Sequence, residues 1–314
     1  STAMTEAVLM AERLTGRHRV VVARSVHPEY RQVLGTYARN SGMEVVETGF
    51  APSGQVDAEA LRVAVNAETA AIVVQSPNFF GVLEQVPQLG EIAHSKEALL
   101  IVTITEAVSL GAVRPPAEAD IVAMEGQSLG LPPSYGGPFV GVIATQEKFV
   151  RQIPGRLAGQ TTDTAGRRGF VLTLATREQH IRREKATSNI CTNQALCALA
   201  ATVHLCLLGK EGLKEMAQQN LAKARFAAAE LAKIPGVKPV LSGATFNEFA
   251  VELPRSVRMV NQELLKEKII GPLPLGQFYP ELTKCGLVCV TETTTRAEIE
   301  RFAGAMKRAL ERPI

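Results

Sequence analysis

The sequence predicts an α/β protein with a large domain on a mostly parallel sheet and a small carboxyl-terminal α+β domain. Short apolar runs such as 71–75 alternate with amphipathic segments of helical length. Continuous apolar runs of this kind are typical of strands covered on both faces of a parallel sheet. A long helix follows at 213–233, and beyond residue 236 the pattern changes to strand, turn, strand and a final helix. We therefore place the large domain at 1–212 and the small one at 213–314.

The large domain opens with a helical pattern from residue 1, before the first strand. We expect the crossovers between parallel strands to be right-handed. The predicted strands cover 19–23, 44–47, 71–75, 99–105 and 119–124, with a last and antiparallel one at 139–145. The predicted helices between them cover 27–40, a segment that begins at Asp57, and 84–95.

The region that joins the two domains changes character twice. Residues 151–190 are basic and loop-like, and 193–208 form an almost wholly apolar helical run, which we expect to be buried between the domains. Gly209 and Gly212 interrupt that run before a second long helix. In the small domain, Thr295 precedes Glu298 by three residues, which is the spacing of a capping box at a helix start.

Composition excludes several classes of function. A net charge of +3 gives no reason to expect nucleic acid or a membrane surface as a partner. Five cysteines without CxxC pairs indicate reduced thiols and a cytoplasmic protein. The five histidines do not have metal-ligand spacing, and neither a GxGxxG nor a GxxxxGK[ST] motif is present. We therefore expect no metal site and no nucleotide site.

Two features near the amino terminus admit two interpretations each. Ser1 and Thr2 precede the first helix, where free N–H groups suit a phosphate, although a plain helix cap explains them equally well. His27 follows the first strand, so its ring could stack on a flat cofactor or be purely structural. Because no initiator Met stands first and this helix has nothing beneath it in the sequence pattern, we expect an amino-terminally incomplete chain.

The polar segment 177–191 lies directly before the apolar helical run. A solvated basic face is the simplest interpretation of it. However, Thr187, Ser188 and Asn189 stand at the start of that run, where their side chains would be held in place beside cations. Helix capping and an interface together are favoured over direct contact with a ligand.

Several long strings of residues resemble subunit 1 of the two-subunit glycine decarboxylase, the P-protein family of the glycine cleavage system. The resemblance covers essentially the whole chain. The strings are PNFFG at 77–81, EGQSLG at 125–130, YGGP at 135–138, GRRGFVL at 166–172, the segment 177–191, FNEF at 246–249 and FYPEL at 278–282.

The resemblance implies an aspartate-aminotransferase-like fold, the fold type I of pyridoxal-phosphate enzymes. It also implies decarboxylation of glycine and transfer of the aminomethyl group to the lipoyl arm of the H-protein. Pyridoxal phosphate acts in such reactions as the electron sink, and a lysine holds it as a Schiff base. The implied partners are glycine, the lipoylated H-protein and a second subunit that bears the cofactor.

This chain departs from the catalytic pattern at two positions. The resemblance places Gly126 and Gln127 where the catalytic subunit has a His-Lys pair, and Glu106 where it has the aspartate that contacts the ring nitrogen. Lys185 lies in the basic loop, so we do not favour it as a replacement. We therefore expect no catalytic residue in this chain and pyridoxal phosphate on subunit 2. Remnants of a cofactor site would be Ser1, Thr2, His27 and Glu106.

A subunit without its own lysine can still complete a neighbouring pocket, because active sites of this fold lie between subunits. We expect five residues to lie at the partner's site or at the interface between the subunits: Arg182, Thr187, Ser188, Asn189 and Cys191. Two alternatives stay open. One is a self-sufficient pyridoxal-phosphate enzyme of the same fold, of the aminotransferase or desulfurase type. The other is a non-enzymatic scaffold with a decayed site.

Overall fold

A six-stranded sheet forms the centre of the first half of the chain. The computed structural model describes residues 1–174, 179–188, 190 and 194–312. The strand order is β2-β1-β3-β4-β5-β6, and only β6 runs antiparallel to its neighbour. The predicted strands and the reversed last strand are thus confirmed. The strands are β1 Arg19–Ala23, β2 Glu44–Thr48, β3 Thr69–Gln75, β4 Leu99–Ile104, β5 Ile121–Glu125 and β6 Gly141–Thr145.

Four helices accompany this sheet: α1 Thr2–Thr15, α2 Pro28–Ala38, α3 Ala58–Ala64 and α4 Val86–His94. The helix at the amino terminus is deeply packed, with Met10 fully buried in the same core as Val21 and Ile101. The expectation that α1 has nothing beneath it is therefore wrong, because α1 packs against β3, β4 and β5. Apolar burial on this scale is the main stabilising term of the sheet.

Residues 157–173 form a β-hairpin and not the predicted loop. Strand β7 (Leu157–Thr162) pairs antiparallel with β8 (Arg168–Thr173). Asp163 closes the turn, since its Oδ1 accepts from the N–H groups of Ala165 at 2.8 Å and Arg167 at 2.9 Å. A short helix, α5 (Gln179–Arg182), follows. The polar composition of 157–173 gave no sign of a hairpin. Its turn depends on the Asp163 carboxylate and on Gly166, whose φ is 77°.

Helix α6 (Ala195–Ala232) crosses the boundary predicted at 212/213 and is interrupted at Gly209, where φ is 61° and ψ is −175°. The prediction that the run 193–208 is buried is wrong for the part of that run that the structure describes. Leu196 is 79% exposed and Leu207 is 83% exposed. Periodicity and composition show that such a helix has an apolar face. They do not show which residues, of this chain or of another, pack against that face.

By length and composition alone, α6 is apolar enough to cross a membrane. Its most apolar 18-residue window has a mean hydropathy of 1.4, and 6% of that window is buried. A single such helix is weak evidence for a membrane span. The charge-free part, 195–209, extends only about 22 Å, less than the ~30 Å of a bilayer's hydrocarbon core. The absence of a membrane partner stays a prediction.

A second sheet follows α6 with the order β11-β12-β10-β9, all pairs antiparallel. The last helix starts with the predicted capping box, which is confirmed: Thr295 Oγ1 accepts from the N–H of Glu298 at 3.2 Å, and the Glu298 carboxylate accepts from the N–H of Thr295 at 2.7 Å. The elements are β9 Lys238–Pro239, β10 Glu248–Glu252, α7 Val257–Lys266, β11 Leu273–Pro274, β12 Cys285–Cys289 and α8 Arg296–Glu311.

Candidate functional site

The carboxyl ends of the parallel strands bring three of the predicted residues to one edge of the sheet. His27, Glu106 and Gln127 follow β1, β4 and β5 respectively. Such an edge is where open α/β sheets bind ligands. Sequence reasoning missed Gln75, which ends β3 between them and is 1% exposed. The only signal for it is a polar residue at the end of an apolar run.

Gln75 fixes the loops at this edge. Its Oε1 accepts from the N–H of His27 at 2.8 Å, and its Nε2 donates to Thr105 Oγ1 at 3.0 Å and to the carbonyl of Pro77 at 3.0 Å. The loops after β1, β3 and β4 are therefore joined through one buried amide. A buried amide whose hydrogen bonds are satisfied makes its surroundings rigid.

His27 has a structural arrangement in this chain. Its Nδ1 accepts from the N–H of Glu29 at 3.2 Å, which caps α2. Its ring centroid lies 5.0 Å from that of Tyr30 and 4.9 Å from that of Phe79. Burial lowers the pKa of His27, which favours the neutral ring that such an accepting nitrogen requires. Of the two interpretations, the structural one matches this geometry.

The Glu106 carboxylate uses both of its oxygens within the protein. Oε1 accepts from the N–H of Val108 at 3.0 Å and so caps the 3₁₀ helix Ala107–Gly111. Oε2 lies 3.4 Å from Nδ2 of Asn247 in the second half of the chain. Glu248 follows Asn247 in the sequence. Burial together with the charge of Glu106 raises the pKa of Glu248 to about 7.

Gln127 is held within its own loop. Its backbone N–H donates to Oε1 of Glu125 at 3.0 Å, and its Nε2 donates to the carbonyl of Pro132 at 3.4 Å. A neutral amide has no nucleophilic amine for an imine. Gln127 therefore cannot supply the Schiff base that pyridoxal phosphate needs, and the Glu106 carboxylate is already engaged within the protein.

The start of α1 is not a plain side-chain cap. Ser1 makes no side-chain capping hydrogen bond, although its carbonyl accepts from the N–H of Thr5 at 3.1 Å. Thr2 is exposed. The assignment of Ser1 and Thr2 to a former phosphate site stays a prediction.

The described part of the polar segment contacts α1. A hydrogen bond from Ser188 favours the charged form of Glu6, but burial outweighs it and raises the pKa of Glu6. The other Glu6 oxygen, Oε2, is buried without a partner. Sequence reasoning missed Glu6, and its signal is a charged residue on the apolar face of α1. Thr187 is half-buried, and Arg182 and Lys185 are exposed.

Two predicted site residues, Asn189 and Cys191, lie outside the described residues. Across the described ranges, no group of three His, Cys, Asp or Glu side chains is placed to hold a metal ion.

The model of the glycine cleavage system P-protein family matches residues 1–306. The chain belongs to the P-protein family. A relative from Koribacter versatilis (strain Ellin345), "Probable glycine dehydrogenase (decarboxylating) subunit 1", is 54% identical over 305 residues, 96% of this chain and 69% of that protein.

Solved structures agree with membership of the P-protein family. A crystal structure of glycine decarboxylase (P-protein) of the glycine cleavage system, in inhibitor-bound form, is 40% identical with a TM-score of 0.92, covering 98% of this chain and 69% of that one. Sphingosine-1-phosphate lyase of Burkholderia pseudomallei K96243 is 20% identical with a TM-score of 0.72 over 98% of this chain and 68% of its own, and shows the fold alone. The predicted fold type I of pyridoxal-phosphate enzymes is confirmed.

Proposed function

We propose that this P-protein chain works as the lysine-lacking subunit of a two-subunit glycine decarboxylase. The observation that carries the proposal is the Gln127 amide, bonded to the carbonyl of Pro132, at the position that the resemblance gives to the Schiff-base lysine. The Koribacter relative is named subunit 1 of a decarboxylating glycine dehydrogenase, and that name implies a second subunit.

Under this proposal, pyridoxal phosphate binds to subunit 2. Two features support that division. Gln127 cannot form an imine, and the Glu106 carboxylate already caps a 3₁₀ helix and contacts Asn247. Glycine and the lipoylated H-protein are then substrates of the assembled pair in the cytoplasm, where reduced thiols persist.

The contribution of this chain is to complete the pocket of its partner. The contact between Ser188 and the buried Glu6 ties Ser188 to α1, which is itself packed in the core. In the sequence, Thr187 adjoins Ser188, Arg182 lies six positions before it, and Asn189 and Cys191 follow it. These residues are our candidates for contact with the partner's site.

The test is reconstitution with the purified second subunit. We expect glycine–bicarbonate exchange only in the mixture, with neither exchange nor borohydride-bleachable visible absorbance from this chain alone. Lys185→Arg should leave the mixture fully active. Exchange by this chain alone, or a borohydride-labelled lysine in it, would instead identify a self-sufficient enzyme. An inactive mixture in which the two chains do not associate would favour the scaffold.

A second variant tests the pocket residues. Asn189→Ala should lower the exchange rate of the reconstituted pair, whereas the exposed Asn40→Ala should not. If exchange with Asn189→Ala equals that of the wild type, the assignment of this segment to the partner's site is wrong.

A further inference from the structure

The large exposed apolar side chains of the described residues are concentrated in one part of the sequence. Of seventeen large exposed apolar residues in the described part, eleven lie between 135 and 207. Within that stretch, the described residues of 154–200 include no buried apolar side chain. Monomeric proteins rarely leave large contiguous apolar patches uncovered. The eleven are Tyr135, Phe139, Phe170, Val171, Leu172, Ile181, Leu196, Leu199, Val203, Leu205 and Leu207.

Four of these residues form a continuous line on α6, which we call the apolar stripe. It consists of side chains that are 79%, 59%, 50% and 83% exposed, namely Leu196, Leu199, Val203 and Leu207. Their spacing of three, four and four residues places them on one face of the helix. The stripe therefore has the pattern of a packed helix face, although nothing in the described chain covers it.

A different face of α6 anchors it to its own chain. Ala201 is 8% exposed and belongs to a cluster with Ala107 and Leu129. His204 lies so close to Gly130 that a Cβ at Gly130 would meet His204 Cβ at 2.6 Å. That packed face is turned roughly a third of a turn from the stripe. The helix is thus fixed in place and presents the stripe outward.

Charge distinguishes between the possible occupants. Residues 195–209 carry no acidic or basic side chain except His204, whereas 151–190 hold eight arginines and lysines against three acidic residues. A second copy of this chain would bring the same excess of positive charge to the contact, which is unfavourable. An apolar surface flanked by acidic groups on a different chain is the complementary match.

We propose that the apolar stripe is the docking surface for the second subunit, through an apolar face with an acidic rim. The inference rests on the proposed function for the identity of the occupant. Stable pairs bury about 1,200–2,000 Å² in total. Eleven of the seventeen large exposed apolar residues of the described part lie between 135 and 207, so this region offers more large apolar side chains to such an interface than the rest of the described surface.

The experiment uses the full chain and the purified lysine-bearing subunit. Leu199→Asp places a charge in the middle of the stripe, and Leu265→Asp does the same at a 65% exposed leucine on α7. Dissociation constants are measured by titration, and oligomeric state by sedimentation velocity. We expect Leu199→Asp to weaken association at least tenfold and Leu265→Asp to change it less than twofold. Circular dichroism should show both variants folded, because both side chains are exposed.

Each other outcome overturns the inference in a recognisable way. If the wild type binds and Leu199→Asp binds equally well, the docking surface is wrong while the proposed function stands. If the wild type does not bind the second subunit, the proposed function fails with it. If the wild type alone forms a dimer that Leu199→Asp dissociates, a second copy is the occupant. Flotation of the wild type with anionic vesicles, lost in Leu199→Asp, would assign the stripe to a membrane surface.

Discussion

Asn247 Nδ2 donates a hydrogen bond to Glu106 Oε2 at 3.4 Å, although the two residues are 141 positions apart in the chain. Glu106 follows β4 of the six-stranded sheet, and Asn247 immediately precedes β10 of the second sheet. The backbone carbonyl of Asn247 accepts from the N–H of Val290 at 2.9 Å. A carboxylate at the position that the resemblance gives to a cofactor contact thus links the two sheets.

Asn247→Ala should lower the free energy of unfolding by about 1 to 2 kcal/mol. The substitution removes a buried side chain, 2% exposed, and leaves one oxygen of Glu106 without its partner. Urea denaturation measures the change. Asn40→Ala, at an exposed position, should stay within about 0.5 kcal/mol of the wild type. Equal stability of the two variants would show that the contact between the sheets contributes nothing.

Glu84 should make stability depend on pH. Its Oε1 accepts from Asn78 Nδ2 at 2.7 Å and Ser25 Oγ at 3.2 Å, and its Oε2 accepts from the N–H of Val56 at 2.9 Å. Burial nevertheless raises the pKa of Glu84 from 4.5 to about 7. Because the folded-state pKa lies above the unfolded one, this contribution is fully present below pH 4.5 and is lost as pH rises to about 7.

The measurement compares the wild type with Glu84→Gln from pH 4 to pH 8. The stability of the wild type relative to the variant should fall as pH rises, by on the order of 3 kcal/mol over the whole range. The amide cannot titrate, although it costs some stability at every pH because it faces donors. Glu68→Gln, at an exposed carboxylate, should show no such trend. A pH-independent difference between wild type and Glu84→Gln would refute the raised pKa.

Tyr279→Phe should lower the free energy of unfolding by about 1 kcal/mol. The Tyr279 side chain is fully buried, and its hydroxyl donates to the carbonyl of Arg24 at 2.7 Å. The variant keeps the ring packing against Phe80, with centroids 5.0 Å apart, and loses the hydrogen bonds of the hydroxyl with Arg24 and Arg31. Thermal or urea unfolding reports the difference. Tyr37→Phe, at a 39% exposed ring, serves as the matched control and should be neutral.

Thr295→Ala should cost about 1 kcal/mol of stability, because it removes the side-chain half of the capping box at the start of α8. Thr164→Ala, in the exposed turn of the hairpin, removes the same atoms without such a cap and should be neutral. Hydrogen exchange of the first turn of α8 should accelerate in Thr295→Ala alone. Unchanged exchange there would mean that the cap does not hold the helix start.

The strands of the large domain could be predicted because a continuous apolar run buried on both faces has few other interpretations. The predicted strand 71–75 is seen as β3, Thr69–Gln75, and the cap at Thr295 follows from a local spacing. The hairpin 157–173 was missed because neither of its strands alternates apolar with polar residues. The prediction that 193–208 is buried was wrong because periodicity shows that a helix has an apolar face but not what packs against that face.

The candidate site could be predicted only in part. Strand ends placed His27, Glu106 and Gln127 on one edge, since parallel strands present their carboxyl ends together. The roles of Gln75 and Glu6 could not be foreseen, because they depend on contacts with residues far away in the sequence.

The uncovered region between residues 135 and 207 has a consequence for how a cell must supply this protein. A newly made copy that presents eleven large apolar side chains to water is a target for chaperones and proteases and a seed for precipitation. If the second subunit covers the stripe as proposed, surplus copies are removed and the amount that persists follows the amount of that subunit. Under that proposal, the supply of the second subunit limits how much of this chain accumulates.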